Sequence, residues 1–343
     1  MRALAKTKPG PGCELVDFPV PSPGPGEVLI RVAAAGICGT DLHIYKWDPW
    51  AQSRIRPPRV IGHEFCGTVE ATGEGVNTVQ AGDRVAGECH VACGRCVPCL
   101  GGRPHICQRL AIIGIDCDGA FADYVVLPAD NAWKLDPGIP FDVAAIMDPL
   151  GNAVHTAMAT EMAGRSVLVT GCGPIGLMVI PVCKMAGAAS VIVSDVTESR
   201  LALARTMGAD LVLDARDGGV PERVRERTGG SGADVVLEMS GHPSGIRDAL
   251  QAVRGGGWVG LLGLPGAPIE LDLVNLVIFK EVRLQGIFGR LMWQTWEQMS
   301  AMLLQGLDIR PIITHRLPLE RFEEAFERLE SGGAGKVILT IES

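Results

Sequence analysis

The chain has 343 residues, 47% of them hydrophobic and 20% charged, with a formal net charge of −8. That length is comfortable for two domains, and that composition can bury a large core. The negative balance argues against a surface built to hold phosphate backbones, and no unbroken run of about eighteen apolar residues offers a membrane span. The opening residues, MRALAKTKPGPG, lack the apolar core of a signal peptide. Eleven cysteines in such a chain therefore read as thiols and metal ligands rather than disulfides, and the cytosol is the expected compartment.

The amino-terminal part reads as strand-rich. Runs such as residues 27–32 and 67–70 alternate apolar with polar side chains and are broken by glycine and proline clusters. Residues 19–27, PVPSPGPGE, form a turn-rich connector. Here Cys38 stands in Gly36-Ile37-Cys38-Gly39-Thr40-Asp41-Leu42-His43, a soft ligand expected in a turn, with hydroxyl and imidazole groups close behind. Gly62-His63-Glu64 follows, then Gly87-Glu88-Cys89-His90. Cys93, Cys96, Cys99 and Cys107 come next with two, two and seven residues between them. Four thiolates this close can complete a tetrahedral site with no open position, which suits a structural zinc. A nucleic-acid-binding module could carry the same lobe, but the acidic charge and the absence of interleaved aromatics oppose that reading. Asp148, in Met147-Asp148-Pro149-Leu150-Gly151-Asn152, precedes a change of pattern.

From about residue 150, apolar strands alternate with helical stretches: SVLVTG, a helix through Met185, SVIVSD, a helix through Met207, DLVLD, DVVLEMS, WVGLLG and VRLQGIFG. That rhythm is the mark of βαβ units around a parallel sheet. Gly171-Cys172-Gly173-Pro174-Ile175-Gly176 ends the first strand and opens a helix. Gly171 suits a tight turn, Gly173 lets the backbone approach a pyrophosphate, and Gly176 lets helix and strand pack closely. The phosphates then sit at the positive end of the helix. Asp195, closing the next strand, is placed to grip ribose hydroxyls and to repel a 2′-phosphate, which favours NAD over NADP. Arg200 is a candidate to flank the adenosine. Leu262, Gly263, Leu264, Gly286 and Ile287 lie at strand ends on the cofactor side, candidates to contact the nicotinamide half. The last portion carries a helix over residues 293–304, a Pro-bounded strand, a helix over 319–329 and a strand over 336–341.

Taken singly, a cysteine is usually a small core residue and a histidine a satisfied hydrogen-bonder. In combination, the Cys38-to-His43 segment, Gly62-His63-Glu64, the four-cysteine lobe and the glycine turn at 171–176 resemble, in this order, the zinc-containing medium-chain alcohol and polyol dehydrogenases. The resemblance covers essentially the whole chain. It implies an α/β architecture with a GroES-like β-barrel catalytic domain (residues 1–149 and 291–343) and a doubly wound Rossmann domain (150–290). It further implies one catalytic and one structural zinc per chain, a homotetramer, and Cys38, His63 and Glu64 as ligands of the catalytic zinc. Asp148 stands where many members carry a ligating cysteine, so Glu64 and Asp148 compete for one ligand role. The implied proton route runs from the substrate hydroxyl through Thr40, by way of a cofactor ribose, to His43. Gly151-Asn152-Ala153-Val154-His155, Glu238-Met239-Ser240-Gly241, Gly286-Ile287-Phe288-Gly289-Arg290 with Trp296, Pro311-Ile312-Ile313-Thr314-His315-Arg316 and His90 are similar to the branch that oxidises L-threonine. The alternative is a related enzyme of the sorbitol or butanediol type. His90 is a candidate to line the substrate pocket. Arg290 either faces a substrate carboxylate or makes a surface ion pair.

Overall fold

The computed structural model describes residues 1–341. The chain forms two compact units: Met1–Pro149 with Leu291–Ser300 and the chain from Ile313 onward, and Leu150–Arg290 with Ala301–Ile312. Assigning everything after residue 290 to the first unit needs one correction, because residues 301–312 pack with the second. The turn Arg310–Ile312 lies against the helices Pro174–Met185 and Glu198–Thr206, where Ile309 and Ile312 are buried. No helix among the described residues is long and apolar enough to cross a membrane.

In the first unit the strand Glu27–Gly36 pairs with Glu64–Thr72, Tyr124–Pro128 and Lys336–Thr340. These belong to a seven-stranded sheet that continues outward to Arg84–Gly87 and Ala132–Lys134 on one side and to Ile313–Pro318 on the other. A three-stranded sheet and the short pair His90–Val91 with Ala111–Ile112 complete the strands of this unit. The expected run at 27–32 continues to residue 36 because Ala33, Ala34, Ala35 and Gly36 are small enough for close packing on a strand with neighbours at both edges. Below it, Leu4, Ile30, Ile37, Ile44, Phe65, Phe121 and Phe326 form part of one buried cluster. Each such side chain contributes about 1.5–3 kcal/mol on leaving water.

The second unit is a six-stranded sheet in the order Leu211–Asp214, Ser190–Asp195, Ser166–Thr170, Ala233–Glu238, Val253–Leu261, Arg283–Gly286. All neighbours are parallel. The order reverses between the strands ending at Thr170 and Glu238, which opens a crevice at their carboxyl ends. At the opposite end, Asp234 ties three adjacent strands together. Its Oδ2 accepts from the Ser166 N–H at 2.9 Å and hydroxyl at 2.7 Å, and its Oδ1 accepts from Arg254 Nε at 2.6 Å. Leu168, Ile192, Val236, Leu250 and Val259 belong to the core cluster of this unit.

Candidate functional site

Cys38 does not sit in a simple turn. It caps the helix Gly39–Lys46, and its N–H donates to Asp41 Oδ2 at 2.9 Å. The helix start therefore fixes the position of the thiol. The turn before the strand Glu64–Thr72 brings His63 and Glu64 to it, and the ligand atoms of Cys38, His63 and Glu64 all lie within 4.8 Å of one another. His63 and Glu64 are buried and Cys38 half-buried. Gly36 makes room for this group, since a Cβ there would lie 2.3 Å from Glu64 Oε2.

Two residues that carried no role in the sequence reading hold the group in place. Asp41, fully buried, sets Oδ1 at 3.4 Å from His63 Nδ1. Burial alone would push the His63 pKa down, but the negative charges expected of Asp41 and Cys38 hold it well above the usual value. Lys336, also buried, places Nζ 2.7 Å from Glu64 Oε1 and 2.5 Å from Oε2, and donates to the Ile37 carbonyl at 2.8 Å. Asp148 is buried and close enough for its charge to act on Glu64, yet it stands outside the Cys38–His63–Glu64 group. A soft sulfur, an imidazole and a carboxylate in this arrangement fit a zinc that keeps an open position.

Thr40 lies on the first turn of the capped helix, with Oγ1 3.8 Å from Cys38 Sγ. His43, one turn further, is exposed; its Nδ1 lies 2.5 Å from Asp48 Oδ2 and its ring meets Trp50 edge-on. The Ala51 N–H, followed by His43, holds the Asp48 carboxyl below the usual carboxylate range.

The ligand sulfurs of Cys93, Cys96, Cys99 and Cys107 also lie within 4.8 Å of one another. Backbone donation from Arg95, followed by the Arg109 side chain, lowers the Cys93 pKa to about 5. Burial and the neighbouring thiols push Cys99 up to about 12. Four sulfurs this close cannot all ionise unless a cation shares them, so the donor set fits a zinc with no open position.

Glu88, Cys89 and His90 also lie within metal-binding distance of one another. Their carboxylate is already committed. Glu88 Oε1 accepts from the His90 N–H and Nδ1, each at 2.9 Å, and Oε2 accepts from Trp296 Nε1 at 2.6 Å. These bonds orient His90. Arg290 is fully buried, and a Cβ on Gly151 would lie 2.5 Å from its Cδ. That overturns the surface-ion-pair alternative.

In the second unit the glycine turn has the geometry a dinucleotide needs. Gly171 has φ +90°, and a Cβ there would lie 2.7 Å from the Ser240 backbone. Gly173 caps the helix Pro174–Met185 with open space on its Cα, leading into Ile175 and Gly176. A Cβ on Gly176 would lie 2.0 Å from the Gly171 carbonyl, so only hydrogen lets the helix start this close to the strand. Asp195 Oδ2 accepts from the Cys172 N–H at 2.6 Å and Oδ1 from the Thr197 N–H at 2.8 Å. Each oxygen keeps a second lone pair for a ribose hydroxyl. Arg200 is half-buried on the helix Glu198–Thr206. The amides of Leu262 and Gly263 donate to the Glu238 carbonyl, Leu264 is 87% exposed, Gly286 ends the edge strand, and the Ile287 N–H donates to the Leu261 carbonyl. Glu238, which the sequence reading placed only in a family segment, is buried at the crevice and accepts from the amides of Ser240 at 2.9 Å and Gly241 at 3.1 Å.

Residues 24–137 match the alcohol dehydrogenase GroES-like domain, and residues 174–305 match the zinc-binding dehydrogenase family. The chain is 51% identical to an L-threonine 3-dehydrogenase of Symbiobacterium thermophilum over 99% of its own length and 97% of that protein's. Among solved structures it is similar to an alcohol dehydrogenase from Thermus sp. ATN1, with 32% identity, a TM-score of 0.89 and all of both chains covered. It is also similar to a short chain alcohol dehydrogenase from E. coli CFT073 complexed with NADH, with 31% identity, a TM-score of 0.91 and 99% of each chain covered. The fold is thus a GroES-like domain joined to a Rossmann-type parallel sheet, and the chain belongs to the zinc-binding, medium-chain alcohol dehydrogenase family.

Proposed function

We propose that the chain oxidises the 3-hydroxyl of L-threonine to 2-amino-3-oxobutanoate with NAD as hydride acceptor. The observation that carries this reading is the Cys38–His63–Glu64 group, gathered in a chain about half identical throughout to proteins named for that reaction. Cys38, His63 and Glu64 would hold the catalytic zinc, which when bound supplies Lewis acidity that lowers the pKa of a hydroxyl. Cys93, Cys96, Cys99 and Cys107 would hold the structural zinc. Thr40 Oγ1 accepts the hydroxyl proton as it passes its own on toward His43, which returns a proton to solvent, with Asp48 holding the Nδ1 face of the exposed ring. Asp148 acts on Glu64 through its charge, supporting the proton relay without ligating. His90, oriented by Glu88, lines the substrate pocket. Gly171, Gly173, Ile175 and Gly176 cradle the pyrophosphate, Asp195 and Arg200 hold the adenosine side, and Leu262, Gly263, Leu264, Gly286 and Ile287 contact the nicotinamide half.

The reading extends to a cytoplasmic homotetramer. A cytoplasmic setting agrees with the reduced thiols the lobe requires. An oligomer is supported by the edge strand Arg283–Gly286, exposed at all four residues, and by Ile278 and Phe279 beside it, 64% and 77% exposed. Steady-state NAD reduction with L-threonine, sorbitol and 2,3-butanediol tests the substrate. L-Threonine should give the highest kcat/KM, and a preference for either polyol would refute the assignment.

A further inference from the structure

Between Cys93 and Arg109 the sequence carries Arg95, Arg103 and Arg109 but no aspartate or glutamate. Four thiolates around a divalent cation leave a formal charge of about −2, so a lobe of this kind gains from nearby positive charge. The three arginines are not equivalent. Arg109 Nη2 donates to Cys93 Sγ at 3.4 Å, and the Arg109 backbone N–H donates to Cys107 Sγ at 3.3 Å. The residue thus grips two of the four sulfurs, one through its charge and one through its main chain. Arg95 reaches Cys93 through its backbone N–H. Cys96 and Cys107 are buried, whereas Cys93 is half-buried and lies at the root of the loop, two residues after the strand His90–Val91. A guanidinium on that sulfur makes a charge-assisted hydrogen bond and offsets part of the negative charge of the centre.

We propose that the Arg109 side chain is a positioning residue for the structural zinc, offsetting the charge of the four-thiolate centre and keeping Cys93 ligated. Because the guanidinium is exposed, the effect is electrostatic and open to screening by salt.

The test uses the zinc-loaded full chain, challenged with excess EDTA while iodoacetamide labels whichever thiols are released. Peptide mapping of Cys96 and Cys107 reads the lobe separately from the catalytic centre. Arg109→Gln should be labelled about tenfold faster than the parent, the low end of what outer partners of a metal contribute, since the side chain is exposed. Arg109→Lys should fall between them, and Arg103→Gln should behave as the parent. Raising salt to about 0.5 M should accelerate the parent and narrow its gap from Arg109→Gln. The backbone donation to Cys107 survives in every variant, so the comparison isolates the side chain. Equal rates for Arg109→Gln and the parent, or for Arg109→Gln and Arg103→Gln, would overturn the proposal. So would a gap indifferent to salt, or parent thiols labelled at once without chelator.

Discussion

At the scale of single residues, Thr40 and Lys336 allow two tests of the proposed site. Thr40→Ala removes the hydroxyl of the proposed proton relay and leaves the helix cap at Cys38 intact. Turnover should fall by about 100-fold while NAD affinity, read by fluorescence titration, stays unchanged. A parallel loss of both would sink the relay. Lys336→Met strips Glu64 of a buried counter-ion. In chelator-treated protein this should cost about 3–5 kcal/mol by denaturant unfolding, as for other broken buried pairs. If Glu64 ligates zinc, loading the metal restores much of that loss, because the cation replaces the missing charge. An equal deficit with and without zinc would hand the ligand role to another carboxylate, Asp148 first. The grouping of Cys38, His63 and Glu64 was legible in the sequence because they stand in compact motifs. Asp41 lay in the same motif without a visible role. Lys336 was illegible: it meets Glu64 across 272 residues of chain, and a lysine at the head of an apolar strand carries no mark of its partner.

At the scale of elements, the repeated strand–helix rhythm after residue 150 was legible because period and length both favour it. The helix Gly39–Lys46 was not. The sequence placed Cys38 in a turn and gave no element to the residues behind it, whereas the Cys38–Asp41 cap and the burial of Ile44 decide for a helix. The boundary at residue 290 erred for a related reason, since helix Gln294–Leu304 runs from one unit into the other. In the parallel sheet, Asp234 spans three strands, and its carboxyl is held below the usual value. Burial raises it, but donation from Ser166 and Arg254 outweighs burial. A depressed folded-state pKa stabilises above the unfolded value and loses that contribution as pH falls through the folded one. Asp234→Asn should therefore lower Tm by a few degrees at neutral pH, and the difference from the parent should shrink as pH drops from about 5 toward and below the ordinary Asp value of about 3.9. A deficit that stays constant across that range would show that shape, not charge, makes the contribution.

At the scale of the whole molecule, the exposed apolar side chains beside the edge strand bear on assembly. Phe279→Asp with Leu284→Lys should shift sedimentation toward smaller species, since both side chains stand on that surface. Unchanged sedimentation would place the contact elsewhere. Sequence alone determined the family and its chemistry: four-thiolate spacing, the glycine turn and the ligand motifs each depend on residues a few positions apart, where chain geometry leaves little freedom. Tertiary structure alone decided which distant groups share a charge balance. The pairing of Lys336 with Glu64, the hold of Trp296 on Glu88 and the burial of Arg290 arise from strand register and close packing, and none of the three is encoded in any local spacing.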